Sequence, residues 1–126
     1  MKKHIDWRER IFYGKIGEQP KSLIFYQNKF DMNNSTGDIY KKKEGYIQGS
    51  IICNNGIYYT RGIYLNMELK LIYEPEDIEE NSLFFVGKNI GELIEGYIYE
   101  KKTQGLYMKD LFMLSSNYFL LSQNRP

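Results

Sequence analysis

GYIQGSIICNNGIYYTRGIYL, residues 45–65, is the stretch on which the fold turns. Two apolar runs, Tyr46 to Cys53 and Ile57 to Leu65, flank Asn54-Asn55-Gly56. Asn-Gly supplies the positive φ angles that a tight type I′ hairpin requires. With Asn55 and Gly56 as the loop residues, antiparallel pairing sets Cys53 opposite Tyr58, Ile51 opposite Thr60 and Ile47 opposite Tyr64 on one face. The other face then carries Ile52 with Tyr59, Ser50 with Arg61 and Gln48 with Ile63. Neither face is cleanly polar, which predicts that both are partly covered, as in a sandwich or a barrel whose outer wall meets something.

A second hairpin is predicted between Glu92 and Leu114, with Lys102-Thr103-Gln104-Gly105 as its turn. It shares wording with the first. Gly45-Tyr46-Ile47 recurs as Gly96-Tyr97-Ile98, and Gly56-Ile57-Tyr58-Tyr59 as Gly105-Leu106-Tyr107-Met108, a period of about fifty residues that suggests a duplicated meander unit. Glycine after a turn followed by β-formers is also simply how hairpins read. Further strands are expected at Arg10 to Ile16, Ser22 to Asn28, Leu69 to Tyr73, Leu83 to Val86 and Tyr118 to Leu121. The turn-forming clusters Gly17 to Pro20, Asn33 to Gly37, Pro75 to Ser82 and Ser115 to Asn117 separate them. About eight or nine short strands spaced roughly ten residues apart imply a mainly β, antiparallel barrel or sandwich. Three short segments read ambiguously. Ile90, Leu93, Ile94 and Tyr97 have helical spacing, interrupted by Gly91 and Gly96; Asp6 with Glu9 suits a short helix cap; Pro75-Glu76-Asp77 suits one helical turn.

The spaced Gly, aromatic and Ile pattern from Leu83 to Leu114 resembles the meandering barrels of lipocalin-like (calycin-type) proteins. The resemblance favours barrel over sandwich. It covers part of the chain and lacks that family's early Gly-x-Trp signature, since Trp7 has no such neighbour, so it transfers no ligand and no binding residue.

A chain of 126 residues suits one domain with a real core. Its 17 basic and 16 acidic residues leave a formal charge of +1, so no strong overall field draws nucleic acid or an acidic membrane. Alanine is absent and valine occurs once, at Val86, whereas Tyr, Phe and Ile abound. That bias fits an A/T-rich bacterial or phage genome, and it removes the best helix former while supplying sheet formers. Met1 to Arg10 holds charges where a secretory signal would hold a continuous apolar stretch, and no window is apolar enough for a membrane helix. Cys53 is alone, so no internal disulfide can form. The expected compartment is the cytoplasm. Asn34-Ser35-Thr36 matches a glycosylation acceptor without a secretory context.

Catalytic constellations are sparse. The single histidine, His4, stands in a terminal segment, which leaves Cys53 without an evident base. One Cys and one His do not make a zinc site. Among carboxylates, Glu92, Glu95 and Glu100 are the nearest candidates for glycosidase-type chemistry, but Glu95 shares a face with Tyr97 and Tyr99 while Glu92 and Glu100 point the other way. Phosphate-binding fingerprints do not occur. Asp31 to Asp38 has calcium-loop composition with its glycine one place late and Lys42 where the closing Glu belongs, so it reads as a plain loop. The expectation is no enzyme, no metal and no cofactor.

Three features point to binding. Lys41-Lys42-Lys43, between Tyr40 and Tyr46, could with Arg61 offer cations and stacking rings to a nucleotide or nucleic-acid strand; a solvated strand edge explains the same run more cheaply. The opposite patch, Glu74 to Glu80, holds five acidic residues in seven, namely Glu74, Glu76, Asp77, Glu79 and Glu80. It could engage a basic protein surface. Tyrosine, present twelve times, is enriched where proteins meet proteins. Tyr58, Tyr59, Tyr64, Tyr97, Tyr99 and Tyr107 are the candidates for an exposed patch. The leading expectation is a non-catalytic cytoplasmic protein that engages and blocks a protein partner, of mobile-element-inhibitor or toxin-immunity type, with a homodimer as plausible as a monomer. The alternative is a barrel that binds a small ligand or nucleotide in its interior or mouth.

Overall fold

A computed structural model describes residues 11–17, 21–31, 45–53 and 56–116. The described residues are strands and turns, with no helix among them. In chain order the strands are β1 (Ile11–Ile16), β2 (Lys21–Asp31), β3 (Tyr46–Cys53), β4 (Gly56–Leu65), β5 (Glu68–Tyr73), β6 (Leu83–Ile90), β7 (Leu93–Lys102) and β8 (Gly105–Ser115). Each pairs antiparallel with the next, and β8 returns to β1, closing an eight-stranded up-and-down barrel. Closure removes the open sheet edges that would otherwise invite association. The barrel expected from the sequence is therefore the observed fold.

Alternation along the strands sends one set of side chains inward. Phe12, Phe25, Ile47, Ile51, Leu69, Leu71, Phe85, Ile94, Ile98, Phe112 and Leu114 form a single buried core in the lumen. Rings fill its width: Phe12 lies 6.0 Å from Phe25, and Phe85 meets Phe112 edge-on at 5.6 Å. A Cβ on Gly87 would come within 2.9 Å of the Phe112 ring and 2.7 Å of Ile94, so the backbone itself has been cleared to admit those side chains. Fully burying each large apolar side chain contributes roughly 1.5–3 kcal/mol.

The first hairpin differs from its expected register. Cys53 pairs with Gly56, Ile51 with Tyr58, Gly49 with Thr60 and Ile47 with Gly62, a two-residue slide. Residues 54 and 55 make the connection and lie outside the described residues. Because the pleat repeats every two residues, a slide of two leaves every side chain on its expected face. The second hairpin turns at Thr103-Gln104, between Lys102 and Gly105, as its sequence implies. The segment with helical spacing is two strands and a turn: Ile90 ends β6, Gly91 takes φ 63 in the turn, and Leu93, Ile94 and Tyr97 belong to β7. Pro75-Glu76-Asp77 forms no helical turn; the loop closes through Glu80 N–H donating to the Asp77 carbonyl at 3.0 Å. The Asp6–Glu9 cap, the Asn33 to Gly37 cluster and the Tyr118 to Leu121 strand fall outside the described residues.

Candidate interaction surface

The β5–β6 loop stands at one end of the barrel and carries the acidic run. It is a built turn. Asp77 accepts from the Glu79 N–H through its side chain at 2.9 Å, the Tyr73 hydroxyl donates to Glu80 at 3.3 Å, and Lys101 N–H donates to the Ser82 carbonyl at 2.9 Å. Asn81 Nδ2 donates to Glu100 at 3.0 Å. That bond leads the causes that hold the Glu100 carboxyl below its usual range, with Lys109 and Lys102 behind it and burial opposing.

Glu74 is ion-paired with Arg61 on the neighbouring β4. The guanidinium expected to serve a nucleotide is thus already occupied by a carboxylate of the acidic patch. Glu76, Asp77, Glu79 and Glu80 have no basic partner among the described residues. In their midst Ile78 is 97% exposed. A single exposed apolar side chain is common on protein surfaces; Ile78 is set apart by its place in a hydrogen-bonded turn between carboxylates.

The expected tyrosines divide by strand parity. Tyr58 points toward the lumen mouth, where it meets Tyr73 edge-on at 4.9 Å. Burial, then the charges of Cys53 and Glu80, push the Tyr58 phenol up; burial and then Glu80 push up that of Tyr73. Tyr59, next in sequence, is on the outer wall and 70% exposed. Tyr97 and Tyr99 share the outer wall of β7, ring centroids 6.3 Å apart. Tyr64 sits inside against the core, donating to Asn89 at 2.8 Å, and Tyr107 is exposed on the β8 arm.

Register shows what surrounds the outer-wall pair. One row across the strands runs Arg61, Ile72, Phe84, Tyr99, Met108, and the next runs Ile63, Lys70, Val86, Tyr97, Leu111. Below Tyr97 the wall is concave. A groove of about 770 Å³ opens between Val86, Lys88, Glu95, Tyr97, Leu111 and Met113, with the paired Gly87 and Gly96 in its floor. A Cβ on Gly96 would overlap the Val86 carbonyl oxygen, so β6 and β7 approach each other here as only glycine allows. The groove is on the wall, and the lumen is occupied by side chains.

Glu92 lies in the β6–β7 turn, Glu95 on the outer wall and Glu100 at the opposite end from Glu92, so the three carboxylates do not converge. Among the described residues, no group of three or more His, Cys, Asp or Glu could hold a metal ion. Cys53, expected as a small core residue beside the turn, is a half-buried thiol next to the β3–β4 connection and lies outside the buried core. Lys41, Lys42, Lys43 and the calcium-like segment past Asp31 lie outside the described residues. Comparisons with protein-family models, curated proteins and solved structures found no match, so the reading of this surface rests on the chain's own geometry.

Proposed function

We propose that this protein is a non-catalytic cytoplasmic binding module that engages and blocks a protein partner, in the manner of a mobile-element inhibitor or a toxin-immunity protein. The observation that carries the reading is the β5–β6 loop: a hydrogen-bonded turn presenting Ile78 between four carboxylates that lack basic partners among the described residues. A small apolar anchor with a charged surround matches how interfaces are organised, with a desolvated centre and a polar rim. The carboxylates steer a basic surface toward the loop, and Tyr97 with Tyr99 extends the contact down the wall into the groove.

The filled lumen supports a wall-based contact over a ligand held inside the barrel. Apolar side chains line the interior, in contrast to the polar interior of transmembrane barrels, and Arg61, Lys70, Lys88 and Glu95 stand on the outer wall.

The test is affinity capture of the tagged protein from its native host lysate, with the eluate identified by mass spectrometry. Wild type should retain one stoichiometric protein. Glu76→Gln, Asp77→Asn, Glu79→Gln and Glu80→Gln together, and Ile78→Ser alone, should each weaken retention at least about tenfold, the equivalent of 1.4 kcal/mol. Equal retention by all three proteins would contradict the assignment of the loop.

A further inference from the structure

The opposite half of the barrel, β1 to β4, bears a second surface of different chemistry. In register, Tyr13 pairs with Ile24, Ile24 with Ile52, and Ile52 with Ile57, so one outer-wall row crosses four strands without a charged residue. The adjacent row is Ile11, Tyr26, Ser50, Tyr59, and Ser50 is its one polar side chain. Ile11, Ile24, Tyr26, Ile52, Ile57 and Tyr59 are each 37% to 70% exposed. Strands about 4.8 Å apart bring the members of each row into mutual contact, making a continuous apolar field.

We infer that this face is a homodimer interface, in which the β1–β4 walls of two copies pack on each other about a two-fold axis. Three features select a second copy. A two-fold axis pairs a face with itself, so a group near the axis meets its own copy, and a face without charges avoids like-charge contacts there; these two rows hold none, whereas Lys70, Lys88 and Glu95 interrupt the β5–β8 wall. The exposed apolar area is on the order of 600 Å² per copy, which doubled reaches the lower range of stable interfaces. The formal charge of +1 leaves little net repulsion between copies. Gln48 and the Arg61–Glu74 pair at one border supply a polar rim. The acidic loop stays outside these rows, so each copy keeps its proposed partner surface.

Sedimentation velocity of the full chain from low to high micromolar concentration tests this directly. Wild type should be a reversible dimer. Ile52→Lys with Ile57→Lys should sediment as a monomer, with the dimer dissociation constant raised at least about tenfold, while Tyr97→Lys on the other wall should remain dimeric. If the lysines compromise folding, judged by circular dichroism, Ile52→Thr with Ile57→Thr removes apolar area while retaining strand preference. A wild-type monomer throughout the range would overturn the inference and reserve the face for another occupant. So would a dimer that survives the β3–β4 changes or is lost with Tyr97→Lys.

Discussion

Asn89 is 6% exposed, and both polar atoms of its side chain are engaged. Its oxygen accepts from the Tyr64 hydroxyl at 2.8 Å, and its nitrogen donates to the carbonyls of Gly91 at 2.7 Å and Leu93 at 2.9 Å. One amide thus closes the β6–β7 turn and ties β4 to it. Leaving such groups buried without partners costs more than the bonds themselves contribute. Asn89→Ala should lower unfolding free energy by about 2–3 kcal/mol and Tyr64→Phe by about 1 kcal/mol, read from urea denaturation. At the other end, Tyr58 and Tyr73 have phenols raised above the ordinary 10.0 by burial first and Glu80 after it. The folded chain therefore holds these protons more tightly than the unfolded chain. The stability they confer is complete below the unfolded value and is lost as pH rises through the folded ones. An ultraviolet titration should lose late-ionising absorbance in Tyr58→Phe with Tyr73→Phe, and Glu80→Gln should move that absorbance earlier. Unchanged late phenols in Glu80→Gln would separate them from that carboxylate.

Among the elements, the glycines carry contrasting demands. Gly96 meets the Val86 carbonyl from β6, so Gly96→Ala forces two strands apart and should cost about 3 kcal/mol or more. Gly56 has open space around it but a φ of 144°, so Gly56→Ala costs backbone strain alone, about 1 kcal/mol. Thermal denaturation of the two variants should rank them in that order. The same contrast explains what was legible. Strand faces and the barrel could be read because alternation survives a slide of two. The register could not, because Gly56 opens β4 instead of occupying the turn. Gly56 and Gly105, at φ 144 and 141, do the same work in their hairpins, which supports the shared wording there. Gly45 and Gly96 do not, since Gly45 has φ 74 at the mouth of β3 and Gly96 lies mid-strand. The β4–β5 turn gave no glycine signal at all: Asn66 and Met67 both adopt positive φ, and the Met67 carbonyl accepts from Asn89 N–H at 2.8 Å. Tyr58 and Tyr59 were read as one patch, yet neighbours on a strand face opposite sides.

For the whole molecule, charge is arranged locally and cancels globally. A formal charge of +1 coexists with an end where four carboxylates lack basic partners among the described residues. The acidic run was visible in the composition, but Ile78 was overlooked because it interrupts a run that is conspicuous for its charge. The pairing of Arg61 with Glu74 is invisible in the sequence because Glu74 lies thirteen residues on, just past the end of the neighbouring β5. The picture that results is a barrel with an apolar core and its chemistry on the outside: an acidic, apolar-tipped loop above an aromatic wall, and two uncharged rows on the wall opposite. Native mass spectrometry of the protein isolated intact from its host tests the central claim, that recognition takes place on this outer surface. The account predicts a protein partner in stoichiometric complex, released when Ile78→Ser and the loop carboxylates are changed. A retained small molecule that survives those changes would place recognition inside the barrel and contradict it.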